Sequence, residues 1–368
     1  MKLTNKELKE SLREVLSTQA TSHDYQDTME YLIYKSIDLG ADDVNVDKHN
    51  NIYITKGKAD IYPCVVAHTD TVHDIYKKYK VYELAGNFVA YDLDTMQQVG
   101  TGGDDKVGLW ICLEMLRSYD NIKICFFAQE EIGCVGSSKA DENFFKDVGY
   151  VFECDRKGNS DFVQTSSGVE MFGDVFKKAI DKTLKKFNYK ITDGGLTDVH
   201  EIAQIADVAC ANMSCGYYKP HSKQEYVSIQ DATHTCKLVY ELIKVLGEVR
   251  YDHKAKDSYM GYGGWGNYNY NLYGSSRIFT SPTYHERNKA PKKVKYKKAV
   301  HGGCDVCGAI DTAGCDFCYK DHQPINYLNE PKANVCSCGG EMKEYGSNDL
   351  DKYRHCRECG FYEELPNF

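Results

Sequence analysis

Five short apolar runs, each almost uninterrupted, place the tightest limit on how the first 250 residues fold. They are Ile52 to Ile54, Cys64 to Ala67, Ile122 to Ala128, Val148 to Cys154 and Asp207 to Asn212. A strand with one wet face alternates apolar and polar residues, whereas a strand covered on both faces reads as a continuous run. Between the runs lie stretches with helical spacing of apolar residues: Lys6 to Ser17, Asp24 to Asp38, Lys106 to Tyr119, Val169 to Phe187, Val199 to Ile205 and Ile229 to Val249. The alternation predicts an α/β fold with a mainly parallel, doubly covered sheet. In such sheets the ligand site lies beyond the carboxyl ends of the strands. The residues that directly follow each run are therefore the ones to read for chemistry.

Five segments stand out there. Val65-Val66-Ala67-His68-Thr69-Asp70 brings an imidazole out of a buried strand, with a carboxylate close enough to orient it and raise its basicity. Gly100-Thr101-Gly102-Gly103-Asp104-Asp105-Lys106 sets Asp104 at the start of an apolar helix. Phe126-Phe127-Ala128-Gln129-Glu130-Glu131 ends a strand on two adjacent acids, which repel each other unless a cation or water lies between them. Tyr150-Val151-Phe152-Glu153-Cys154-Asp155 ends another strand on a carboxylate, and Lys219-Pro220-His221 supplies a second imidazole. Taken singly, each has an ordinary explanation; an Asp at a helix start is most often a cap. Together they offer two His and several acids where an α/β sheet opens its site. This N and O donor set suits zinc with a position left open for water. Two ions need a bridging carboxylate, and five ligands divide as two for each ion plus one shared.

In the order and spacing of its motifs, the chain resembles the co-catalytic di-zinc peptidases that include peptidase T, aminoacylase and the zinc carboxypeptidases. The likeness spans about the first 240 residues. It rests on His68-Thr69-Asp70-Thr71-Val72, Gly102-Gly103-Asp104-Asp105-Lys106-Val107-Gly108, Glu130-Glu131-Ile132-Gly133, Asp155, Gly194-Gly195-Leu196-Thr197-Asp198 and His221-Ser222-Lys223-Gln224-Glu225. The resemblance implies that His68 and Asp155 bind one zinc, that Glu131 and His221 bind the other, and that Asp104 bridges them, with cobalt or manganese able to substitute. It further implies that Asp70 orients His68, that Glu130 is the general base, and that Gly195, Thr197 and Asp198 approach the substrate. Two departures accompany it. Fewer than forty residues separate Asp155 from Gly194, which leaves no room for the lid and dimerisation domain many members insert there. His73 stands where relatives often carry proline.

The rest of the chain reads differently. Net charge is -9, which argues against nucleic-acid binding by the chain as a whole. No apolar run reaches the roughly 20 residues needed to span a bilayer, and the N-terminus reads as an amphipathic helix rather than a leader. A cytoplasmic location with no membrane contact is expected. Of the 16 cysteines, Cys64, Cys112, Cys125, Cys134, Cys154, Cys210, Cys215 and Cys236 are scattered singly, as free buried thiols are in a reducing compartment. Residues 251–300 form an expected linker, Gly/Tyr/Asn-rich around Met260 to Tyr270 and then basic from Arg287 to Lys298. Residues 301–368 carry Cys304, Cys307, Cys315 and Cys318, then Cys336, Cys338, Cys356 and Cys359. Each set offers four thiolates to one structural zinc, as in a zinc ribbon, and His301, His322 or His355 could replace a thiolate.

The domain organisation expected is thus a catalytic domain over 1–250, a linker, and two zinc-binding clusters. The functional expectation is a hydrolase of peptide or related amide bonds, an aminopeptidase or small-peptide peptidase taking peptides or N-acyl amino acids. An esterase or deacetylase would use the same site. The alternative is a peptidase-like binding protein without turnover, whose ribbons recruit nucleic acid or protein. Glu130 weighs against it, because a site that performs no hydrolysis has no need of a second acid beside Glu131.

Overall fold

Each of the five apolar runs forms a strand, and all five lie in one sheet of the computed structural model, which describes residues 4–257 and three short strands at 342–345, 353–356 and 362–364. In chain order the elements are α1 (Asn5–Leu16), α2 (Gln26–Asp38), β1 (Asp43–Val46), β2 (Ile52–Lys56), β3 (Tyr62–His68), β4 (Tyr79–Leu84), β5 (Asn87–Asp92), β6 (Gln97–Val99), α3 (Gly103–Ser118), β7 (Ile122–Phe127) and β8 (Val148–Arg156). There follow β9 (Asp161–Ser166), β10 (Val169–Glu170), α4 (Asp174–Lys186), β11 (Lys190–Gly194), α5 (Asp198–Ile205), β12 (Ala209–Ser214), β13 (Tyr217–Tyr218), β14 (Tyr226–Ser228), α6 (Ile229–Leu246) and β15 (Lys256–Asp257).

The large sheet runs β1-β2-β7-β3-β8-β12-β9-β10-β15, with β11 beside β9. Its centre, β7-β3-β8-β12, is parallel, and antiparallel strands complete both edges. Successive strand residues face opposite layers. Val65 and Ala67 pack into a core shared with α1, α3, α4 and α6, whereas Cys64 and Val66 pack into a second core with Val199, Ile202 and Ala203 of α5. Each fully buried Val, Ile or Phe contributes roughly 1.5–3 kcal/mol, which explains why these strands are mostly apolar; buried exceptions such as Lys123, Glu153 and Asn212 each have hydrogen-bond partners. The eight scattered cysteines are all buried and free.

Helix α1 shows why its sequence is helical. Thr4 and Glu7 form a reciprocal cap, with Glu7 N donating to Thr4 Oγ1 at 3.3 Å and Thr4 N donating to Glu7 Oε2 at 2.7 Å. Leu8, Leu12, Val15 and Leu16 then fall on one buried face. Helix α3 is buried on almost every side. From its first turn, the buried Lys106 donates to the carbonyls of Leu16 at 3.1 Å and Thr18 at 2.7 Å, which ties the end of α1 to the loop that carries the site.

Three features depart from the sequence reading. The helix expected from Val169 starts at Asp174, because Ser167 and Gly168 both take positive φ and fold β9 back onto β10 as a tight hairpin. A separate five-stranded sheet, β13-β14-β5-β4 with β6 beside β5, covers Phe88, Ala90 and Val227. Its pattern escapes notice because β4 buries only Val81, while Tyr82 and Leu84 face outward. Finally, the chain stays with the large sheet beyond residue 250: Arg250 donates to the carbonyls of Lys146, Val148 and Ala206, and β15 pairs with β10.

The chain divides into two units, residues 1–298 and 299–368. In the second, β16 (Met342–Tyr345), β17 (Tyr353–Cys356) and β18 (Tyr362–Glu364) form an antiparallel meander. Cys356 ends β17; the other seven cysteines expected to bind structural zinc, and most of the expected linker, lie outside the described residues. Among the described residues, no helix is long and apolar enough to cross a membrane.

Candidate metal centre

The carboxyl ends of β3, β7 and β8 and the loops entering α3 and leaving β13 converge. His68, Asp104 and Asp155 form one group of side chains whose ligand atoms all lie within 4.8 Å of one another, and Asp104, Glu131 and His221 form a second. Asp104 belongs to both. Its Oδ1 lies 3.2 Å from His68 Nε2 and its Oδ2 lies 3.3 Å from His221 Nε2. Glu131 Oε2 is 3.2 Å from His221 Nε2, and Asp155 Oδ1 is 3.7 Å from His68 Nε2. All five expected ligands are thus brought together. Glu130 Oε2 stands 4.0 Å from His68 Nε2, beside these groups but a member of neither.

The charges here call for a cation. Burial opposes ionisation of Asp104, yet the two imidazoles hold its carboxyl well below the ordinary range. Burial and the neighbouring Asp104 push Asp155 up to about 6, and burial, together with nearby acids, pushes Glu130 up to about 8. Hydrogen bonds to Asp104 and Glu131 raise His221 to about 10. Acids that resist ionising beside imidazoles that retain protons are what a crowd of buried carboxylates does when only protons balance it. Glu131 Oε1 is also buried without a partner among the described residues. Two nitrogens, three carboxylates and an orphaned carboxylate oxygen fit a pair of divalent ions of the zinc type.

The backbone around the ligands is strained where the ligands are carried. Gln129, Lys219 and His221 take positive φ without being glycine, at an expected cost of order 1–3 kcal/mol each. Gly102, also at positive φ, precedes α3, and the Asp104–Asp105 peptide is cis. Asp105 is buried and points away from the ligand groups: His68 N donates to its Oδ2 at 3.3 Å and Gly108 N to its Oδ1 at 3.1 Å. A side chain on Gly108 would run into that carboxylate.

Asp70 meets His68 through its backbone carbonyl as well as its carboxylate. His68 Nδ1 donates to the backbone carbonyl of Asp70 at 2.9 Å, which leaves Nε2 with its lone pair toward the ligand group. The carboxylate of Asp70 is 3.5 Å from Nδ1, and it accepts from Ser22 Oγ at 2.6 Å, Glu130 N at 3.0 Å and Glu131 N at 3.4 Å. One residue therefore orients the imidazole and fixes the turn that bears both glutamates.

Of the three residues expected to approach substrate, only Gly195 is open to solvent. Thr197 and Asp198 are turned inward, because Asp198 begins α5 and α5 packs against the sheet. Thr197 Oγ1 donates to Glu153 and lies 3.5 Å from Asp155 Oδ2, behind the ligands; both carboxylate oxygens of Asp198 are buried without a hydrogen-bond partner among the described residues. Several supports went unread in the sequence. Asn212 Oδ1 accepts from Asp155 N at 2.9 Å, Tyr217 OH donates to Asp155 Oδ1 at 3.3 Å, and Cys134 Sγ lies 3.4 Å from Glu130 Oε1. Only Cys134 carried a local signal, four residues past Glu130.

The sequence model of the M42 glutamyl aminopeptidase family matches residues 86–238, a segment that holds four of the five ligand candidates and Glu130. The chain is a metallopeptidase of the broad zinc-peptidase superfamily. Among solved structures, this metallopeptidase is similar to the aminopeptidase PepT of Bacillus cereus, at 15% identity and a TM-score of 0.56 over 66% of this chain and 99% of that one. It is similar too to a tripeptidase of Staphylococcus aureus, at 14% identity and a TM-score of 0.55 over 66% of this chain and 99% of that one. An aminopeptidase of the archaeon Desulfurococcus kamchatkensis aligns at 14% identity and a TM-score of 0.51 over 66% of this chain and 95% of that one. At such identities the structures establish the shared α/β fold. No curated protein sequence matches the chain. The relationship drawn from motifs to peptidase T, aminoacylase and the carboxypeptidases thus holds at the level of the superfamily, while the matching family model is that of the M42 aminopeptidases.

Proposed function

We propose that the metallopeptidase is an aminopeptidase of short peptides that uses two zinc ions, one held by His68, Asp104 and Asp155 and the other by Asp104, Glu131 and His221. The observation that carries this reading is the position of Asp104, with one carboxylate oxygen toward each imidazole. The family model and the aminopeptidase and tripeptidase structures support the substrate class. Bound divalent ions would polarise the scissile carbonyl and bring the acidity of water near neutrality.

Glu130 supplies the proton traffic. Its carboxylate takes a proton from the attacking water as the water oxygen bonds to the carbonyl carbon, then delivers that proton to the amine nitrogen as the C–N bond breaks. Asp70 keeps Glu130 in place through its backbone and keeps His68 in the tautomer that presents Nε2. Gly195 and Leu196 are exposed to solvent, which supports a role for this segment in meeting the peptide. The free thiols fit a cytoplasmic setting, and the two C-terminal cysteine sets are assigned a structural zinc each.

The test is hydrolysis of a panel of di- and tripeptides and N-acyl amino acids by protein loaded with zinc or cobalt. Release of the N-terminal residue from peptides is expected, and cleavage of none of the panel would end the proposal.

A further inference from the structure

Glu225 is fully buried four residues after His221, and His73 leaves the strand that ends in His68. The two side chains meet, with His73 Nε2 2.7 Å from Glu225 Oε2. The same carboxylate accepts from Gly102 N at 2.6 Å and from Asp104 N at 3.3 Å. Glu225 N in turn donates to the carbonyl of Ser222, in the loop that bears His221. A single buried acid therefore joins the segments that carry His68, Asp104 and His221, the three residues on which both ion sites depend.

We propose that His73 is a positioning residue for the bridging ligand, acting through Glu225 on the backbone of Asp104. This rests on the two-ion reading above. The physical case is the cost of the arrangement. Removing a carboxylate from water is unfavourable by several kcal/mol unless hydrogen-bond donors surround it. Here the glycine loop supplies two backbone donors, and among the described residues His73 supplies the one side-chain donor. The ring packs against Gly100, close enough that a side chain at 100 would collide with three ring atoms, so only glycine leaves room for the imidazole there. Loss of the imidazole leaves Glu225 held only by the peptide groups it is meant to hold. The loop bearing Asp104 then gains freedom at the position where the two ligand groups share an oxygen pair. Residues that orient a metal ligand without touching the ion commonly govern affinity by about 10–100-fold. A proline at this position would have no N–H to offer the acid.

The experiment compares full-length wild type with His73→Ala and His73→Gln. Each protein is stripped of metal and titrated with zinc against a chromogenic chelator; the visible spectrum of the cobalt form and the melting temperature of the metal-free form are recorded beside it. Expected for His73→Ala are a loss of affinity of about 10–100-fold at the site and a changed cobalt spectrum, with metal-free melting close to wild type. His73→Gln, whose amide N–H reaches the same carboxylate oxygen, recovers most of the affinity. Zinc binding by His73→Ala as tight as by wild type overturns the proposal, and so does a loss that the glutamine leaves unrepaired. Should His73→Ala not fold, Glu225→Gln carries the comparison: an amide oxygen kept for His73 and Gly102 N sets its NH2 against Asp104 N, so weaker zinc binding and a changed cobalt spectrum are expected, and zinc bound as tightly as by wild type overturns the proposal. No substrate is involved, so inactivity toward peptides would count against the proposed function alone, and equal affinities would count against His73 alone.

Discussion

Glu130 and Glu131 are neighbours in sequence, yet their carboxylates have different surroundings. Glu131 faces His221 and Asp104, while Glu130 lies beside His68 outside both ligand groups, its other oxygen near the Cys134 thiol. Glu130→Gln should therefore lower kcat by about 10²–10⁴-fold and leave zinc content unchanged; a variant as fast as wild type, or one that loses zinc, would assign the residue another role. The buried acids also set a pH dependence for the metal-free protein. A carboxyl whose folded pKa lies above its unfolded value stabilises fully below the unfolded value, and that contribution vanishes as pH rises through the folded one. Burial takes Glu130 to about 8, Asp198 to about 7 and Asp155 to about 6. The raised His221 acts in the same direction, its contribution disappearing as pH climbs through about 10. Asp104, held low, acts only at acid pH. Chelator-treated protein should thus melt at a lower temperature at about pH 8.5 than at about pH 6. Calorimetry at the two values checks this, and melting that rises with pH would contradict it.

Elements place these residues, and some elements were easier to read than others. The strands of the parallel centre were legible because burial on both faces keeps polar residues in them few, and α1 because its cap and apolar stripe agree. The hairpin β9–β10 was not, since Val169, Met171 and Phe172 before a helix look like its first turn; the Ser167-Gly168 turn and Gly173 were the contrary signs. Helix α3 carries a constraint that no propensity scale contains. Gly108 lies in a helix, where glycine is unfavourable, because Asp105 needs the space beside it. Gly108→Ala should cost about 1–3 kcal/mol despite the better helix former, as an overpacked site does. Urea unfolding of the metal-free variant measures it, and a midpoint equal to wild type would mean that Asp105 relocates without penalty.

For the whole molecule, the expected zinc content is about four ions per chain, two at the centre between β3, β7 and β8 and two at the cysteine sets beyond residue 300. Elemental analysis of the full-length protein decides this, and a value near two would remove the structural zincs from the account. Sequence alone determined the α/β class and marked the five ligand candidates and Glu130, because each mark is a local event: a strand must be largely apolar to be buried, and a candidate ligand stands where such a strand ends. Tertiary structure alone decided what holds them. Ser22 reaches Asp70, Asn212 reaches Asp155, and His73 reaches Glu225 across 152 positions of sequence. Nothing in a hydroxyl, an amide or an imidazole declares its partner, since such hydrogen bonds exist only after the chain has brought distant segments within about 3 Å.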